Sequence, residues 1–111
     1  MKNSALYKGS LTTIIMKLLE ENGEMYGYEI TQKVKLITNG SLKITEGALY
    51  PALYKLVSDE LLTVTIVKVD NRVRKYYKLT EKGTRETVSK LDELEEFIRN
   101  MQNIVQPKLS I

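Results

Sequence analysis

The sequence has no cysteine, no histidine and no tryptophan, and only two prolines and one phenylalanine. Without cysteine there is neither a disulfide framework nor a thiolate metal site. Without histidine the commonest general base and metal ligand is missing. No apolar run approaches the roughly 20 residues of a membrane span, and no signal-peptide pattern precedes the first helical segment. A soluble cytoplasmic protein without metal or cofactor is expected. Catalysis finds little support as well. Glu93, Glu95 and Glu96 fall on a long polar helix with no base or oxyanion donor nearby, and their spacing fits a solvated flank, so no enzyme is expected.

What is present is one domain of 111 residues. Such a chain buries about two-thirds of its surface if alone, a shortage that a dimer would relieve. The net charge of +3 is unevenly spread. Residues 1–85 carry 14 Lys and Arg against 9 Asp and Glu (14 − 9 = +5), and residues 86–111 carry 3 against 5 (3 − 5 = −2). A basic body and an acidic tail suit a body that meets a polyanion; the competing reading is ordinary surface charge.

The segment TEGALYPALYKLVSDELL, residues 45–62, organises the chain. Thr45 can cap a helix whose first turn holds Glu46. Leu49, Leu53, Leu56 and Val57 form its apolar stripe, leaving Tyr50, Tyr54 and Lys55 outward. Pro51 removes one helical bond, and Gly47, a turn earlier, obstructs nothing. Such a helix presents its leading end to something.

Two helices precede it. Leu11, Ile14, Ile15, Leu18 and Leu19 mark one over residues 9–21, stopped by Glu21-Asn22-Gly23. Ile30, Val34 and Ile37 mark the next over residues 26–37, opened by the run YGYE. Leu6 and Tyr7, ahead of both, are candidates to pack on a partner. Asn39-Gly40-Ser41 is a turn, and Leu42 and Ile44 alternate around Lys43 as a short strand. After the third helix, β-branched and aromatic residues alternate over residues 62–68 and 73–78, joined by the turn pair Asp70-Asn71. The hairpin tip carries Lys68, Arg72, Arg74 and Lys75. Thr80 opens a last helix that Gly83 weakens locally. Val88, Leu91, Leu94, Ile98, Met101 and Ile104 or Val105 then recur like a coiled-coil seam, ended by Pro107.

Three helices followed by a basic-tipped hairpin is the order of a winged helix-turn-helix. The fold expected is mainly α with a β-hairpin wing, a DNA-binding body over residues 1–82 and a dimerisation helix over 83–111. A winged helix that binds a protein partner rather than DNA has the same order.

Three runs resemble the PadR family of transcriptional regulators, in its short class with a single C-terminal helix. They are Lys8-Gly9-Ser10-Leu11 with Met25-Tyr26-Gly27-Tyr28-Glu29-Ile30, then Gly47-Ala48-Leu49-Tyr50-Pro51-Ala52-Leu53, then Arg74-Lys75-Tyr76-Tyr77-Lys78-Leu79-Thr80-Glu81-Lys82-Gly83. At the tip, Asn71-Arg72-Val73 departs from the family's common Gly-Arg-Pro. The resemblance implies a homodimeric repressor on double-stranded operator DNA. It also implies release by a small aromatic or lipophilic inducer, bound between the body and the dimer helices.

Candidate DNA contacts follow from residue chemistry. Tyr50 and Lys55 lie on the outward side of the third helix, with Thr45 a cap first and Ala48 and Gly47 allowing close approach. Tyr50 is otherwise a half-buried packing residue. Tyr26 and Tyr28 flank Gly27 where a helix N-terminus can meet a phosphate, or they serve packing alone. Arg72, Arg74 and Lys75 belong to the wing, where a basic edge also deters strand pairing. Alternation puts Arg72 and Arg74 opposite Lys75, so the three are not equal contacts. Of Tyr76 and Tyr77, one belongs to the core and the other rests on the last helix. Leu91, Leu94, Ile98, Met101 and Val105 form the dimer seam, unless that helix folds back on its own domain. Met16, Leu94 and Phe97 line a candidate apolar gap for the inducer; without tryptophan, stacking on an indole is excluded.

Overall fold

The computed structural model describes residues 7–106; the expectations for Leu6 and Pro107 lie outside them. A 3-10 turn (Lys8–Ser10) leads into α1 (Leu11–Asn22), β1 (Glu24–Tyr26) and α2 (Gly27–Ile37). Then come α3 (Glu46–Ser58), β2 (Leu62–Val69), β3 (Arg72–Leu79) and α4 (Glu81–Val105).

The core is built around α1. Leu11, Ile15, Met16, Leu18 and Leu19 are buried there, against Ile30 and Val34 of α2, Leu49, Leu53 and Leu56 of α3, and Met25, Leu62 and Tyr77 of the sheet. No side chain caps the start of α1. A cap is worth ~1 kcal/mol, whereas each large apolar side chain removed from water contributes about 1.5–3 kcal/mol. Packing therefore sets this helix: its broad apolar side meets α3, α4 and the sheet, while Lys17, Glu20 and Glu21 form a polar strip.

The sheet runs β1-β3-β2, antiparallel throughout. β2 and β3 close around Asp70 (φ 48°) and Asn71 (φ 63°), the two left-handed residues of a type I′ turn. β1 appears where the sequence predicts only a helix start, with Met25 opposite Tyr77. The strand predicted at Leu42–Ile44 does not form: this segment is irregular, with Ile44 buried in the core and Leu42 packed against it. Three residues are too few to show a period of two, and pairing with β3 decides which segment extends.

Both α2 and α3 end on a left-handed residue. Gly40 N–H donates to the Lys35 carbonyl at 2.8 Å and Asn39 N–H to Leu36 at 3.2 Å, with Asn39 at φ 53°. After α3, Leu61 N–H donates to Leu56 at 2.9 Å and Glu60 N–H to Val57 at 3.0 Å, with Glu60 at φ 63°. This is the Schellman closure, which favours glycine at the left-handed position.

α4 starts against that same corner. Thr80 Oγ1 accepts from the Gly83 N–H at 2.9 Å and donates to the Glu60 carbonyl at 2.7 Å. Lys82 Nζ donates to the Asp59 carbonyl at 3.2 Å. A Cβ on Gly83 would fall onto the Leu61 carbonyl oxygen. Gly83 is thus required by a backbone crossing and is not merely a weak point in the helix. Thr87, fully buried, donates to the Gly83 carbonyl at 2.7 Å and satisfies its own hydroxyl.

Glu60→Gly should stabilise the protein by roughly 0.5–1 kcal/mol, the relief of left-handed strain less the added entropy of glycine. Urea unfolding monitored by circular dichroism checks this. An unchanged or lower midpoint would mean that the Glu60 side chain contributes more than its backbone costs.

Candidate nucleic-acid interface

The leading two turns of α3 are uncovered. Thr45 Oγ1 accepts from the Ala48 N–H at 3.2 Å, the cap that the sequence predicts. Glu46, Gly47, Ala48, Tyr50, Pro51, Tyr54 and Lys55 are exposed, while Leu49, Leu53 and Leu56 face the core. Pro51 lies inside the helix and offers no N–H to the Gly47 carbonyl one turn back. Tyr54, 78% exposed, stands further into solvent than Tyr50 at 45%. Lys55 Nζ pairs with Asp59 at 3.3 Å. An exposed pair of this kind contributes at most ~1 kcal/mol, so it does not withhold Lys55 from a stronger anion.

The difference between the two tyrosines has a local cause. The Tyr50 phenol rests on Gly27, where an added Cβ would lie 2.7 Å from its hydroxyl. Gly27 is the first residue of α2 and is buried. Tyr50 is therefore partly a packing residue, as one of its two predicted roles required. Tyr28, next to Gly27, is exposed. Tyr26 precedes the helix, and its N–H donates to Glu29 Oε1 at 3.0 Å.

The wing reaches this same turn. The Arg74 guanidinium lies 4.5 Å above the centre of the Tyr26 ring. Tyr76 meets Tyr26 edge-on, with ring centres 5.4 Å apart and planes at 71°. The Arg74 pKa is raised, first by a hydrogen bond to the Tyr76 phenol and then by Tyr26. Arg72, two residues nearer the tip on the same side of the strand, is exposed. Lys75 is exposed on the other side, paired across the ladder with Ile66. The three wing cations thus have three different surroundings.

The predicted apolar residues separate in part. Met16 does not line a gap: it is fully buried in the core because α1 is packed on several sides. Leu91 and Leu94 lean toward α1 and border a recess of about 320 Å³ that Ile14, Leu18, Val34 and Ile37 also line. Phe97 borders a second recess together with Leu94, as predicted, and with Gly9, Ser10 and Thr13; Leu94 and Thr13 line both recesses. Phe97, Ile98, Met101, Ile104 and Val105 are exposed on the outer half of α4. Tyr54 is the most exposed aromatic residue of α3, and it is not among the candidate contacts that the sequence predicts. Its place one turn after Tyr50 was the available signal.

Comparison with known proteins gives this surface a context. A profile of the transcriptional regulator PadR-like family matches residues 15–89. A transcriptional regulator of Mycobacterium tuberculosis is 30% identical over 80 residues, 72% of each chain. A transcriptional regulator from Clostridium thermocellum superposes with a TM-score of 0.82 at 29% identity, covering 93% of this chain and 97% of that one. Bacillus subtilis PadR, solved in complex with operator DNA, superposes with a TM-score of 0.65 at 29% identity, over 73% of this chain and 46% of that one.

Behind the surface lies Tyr77, 7% exposed. Burial pushes its phenol above the ordinary value of 10.0, and Tyr50 adds to the shift. The folded state prefers the neutral form, so this contribution is whole below pH 10 and is lost as pH rises through the folded value. Stability should therefore fall as pH rises above 10, and fall less in Tyr77→Phe. Urea midpoints for both proteins check this. Equal losses would assign the alkaline sensitivity to other groups.

Proposed function

This chain belongs to the transcriptional regulator PadR-like family, and from that membership we propose a homodimeric winged-helix repressor that binds an operator duplex and answers to a small apolar molecule. The observation that carries DNA binding is the bare leading end of α3, which exposes Tyr50 and Tyr54, together with the exposed cation Arg72 on the wing. In this reading α3 enters a major groove and the hairpin follows the neighbouring backbone. Gly47 and Ala48 permit close approach, Lys55 and Lys75 supply phosphate contacts, and Tyr28 meets a phosphate at the start of α2.

The homodimer rests on the outer half of α4. Five large apolar residues there stand in water in a lone chain. A second copy of the helix would cover them, with Ile98, Met101 and Val105 at seam positions. Leu91 and Leu94 then join the seam to each body, and residue 83 marks the border between body and dimer helix. A two-fold pair presents two α3 helices to successive grooves about 34 Å apart. The protein acts in the cytoplasm, and no helix among the described residues is long and apolar enough to cross a membrane.

The inducer's seat is the recess of about 320 Å³ that joins α1 and α2 to α4. Its walls suit an aromatic or lipophilic compound. An occupant would press α4 away from the body and change the spacing of the two α3 helices.

One set of titrations tests the proposal. The duplex upstream of the protein's own coding region should bind, with affinity falling at least about tenfold between 50 and 200 mM salt. Two protomers should bind per duplex by sedimentation. Ile98→Glu should yield a monomer that loses this binding, because the seam would bury an unpaired charge. No binding to that duplex, or a salt-independent affinity, would favour a winged helix that meets another protein.

A further inference from the structure

Resting on the DNA-binding reading above, we infer that Tyr26 and Arg74 are positioning residues: their stacked pair holds the wing at a fixed pitch against α2 and leaves Arg72, of the two wing arginines, to contact DNA. The geometry separates two arginines that the sequence makes look alike. Both are on β3 and on the same side of it. Arg74 lies 4.5 Å over the Tyr26 ring, and Tyr76 closes on the edge of that ring. Its planar head is already engaged through its face. Arg72 is exposed at the first residue of the strand, next to the turn.

Tyr26 is well placed for this task. Its backbone is fixed on two sides, by pairing opposite Tyr76 and by the 3.0 Å bond from its N–H to Glu29. The next residue, Gly27, seats the Tyr50 phenol of α3. A hairpin held by Tyr26 is therefore held relative to the recognition helix as well. Loss of the stack should leave the core intact, since neither Tyr26 nor Arg74 belongs to it. The other side of the hairpin beyond Tyr77 is bare, with Ile66 and Val73 exposed there.

The test compares Tyr26→Leu, Tyr26→Phe, Arg74→Met and the Leu/Met double variant. Operator affinity is measured over a range of salt concentrations. Each of Tyr26→Leu and Arg74→Met should lose roughly two- to fivefold in affinity, and the double variant no more than either alone. Tyr26→Phe keeps the ring face and should bind like the parent. Tyr26→Leu removes no charge, yet should flatten the salt dependence as Arg74→Met does, because both release Arg72 from its register. If Tyr26→Leu is silent while Arg74→Met alone flattens the slope, Arg74 is itself the phosphate contact and the inference fails. Hydrogen exchange of the free protein gives a readout without DNA. Amides of β2 and β3 beyond Tyr77 should exchange faster in Tyr26→Leu and Arg74→Met but not in Tyr26→Phe. Unchanged exchange would also overturn it. A parent protein that binds no duplex would defeat the DNA-binding reading alone, with hydrogen exchange still deciding whether the stack holds the wing.

Discussion

The Tyr50 phenol lies on Gly27 with no room for a Cβ between them. This contact ties the outward face of α3 to the first turn of α2. One residue earlier, Tyr26 carries the wing through Arg74 and Tyr76. One turn of helix thus sets the position of two elements that come from separate parts of the chain. Each contact is worth only about 1 kcal/mol, far less than the apolar core around α1. Their role is orientation: the core determines whether the chain folds, and the α2 turn determines how its outer surface is aligned.

A second close approach does the same for α4. Gly83 crosses the Leu61 carbonyl, and Thr80 and Lys82 bond the carbonyls of Glu60 and Asp59 at the end of α3. The helix proposed to pair two protomers therefore begins on the last residues of the helix proposed to read DNA. Because these contacts are made directly to the backbone at the end of α3, a change in the pitch of α4 would be passed to α3. The recess beside Leu91 and Leu94 sits where a small molecule would apply such a change.

Much of this was legible in the residues. The long helices show their period, and Asp70-Asn71 announces a type I′ hairpin. Thr45 and Thr80 act as the caps they look like. What escaped depended on partners distant in sequence. β1 extends because β3 lies beside it, and the three-residue strand has no pattern of its own. Gly83 looked like a helix weakness because its reason, the Leu61 carbonyl, is 22 positions away. Met16 looked like a flexible pocket residue because periodicity does not tell how many neighbours surround α1. The roles of Arg72, Arg74 and Lys75 were separable by face, as alternation requires. The stack that engages only Arg74 could not be read from that alternation.

On the function proposed above, α3 and the wing form one DNA-facing surface while the outer half of α4 faces a second copy. Backbone NMR of the protein titrated with duplex from its own promoter tests it most directly. Amide signals of residues 45–55 and of the turn from 69 to 73 should shift together and saturate at one duplex per two chains, with signals of residues 97–105 little changed. Shifts concentrated in residues 97–105, with residues 45–55 unmoved, would contradict it.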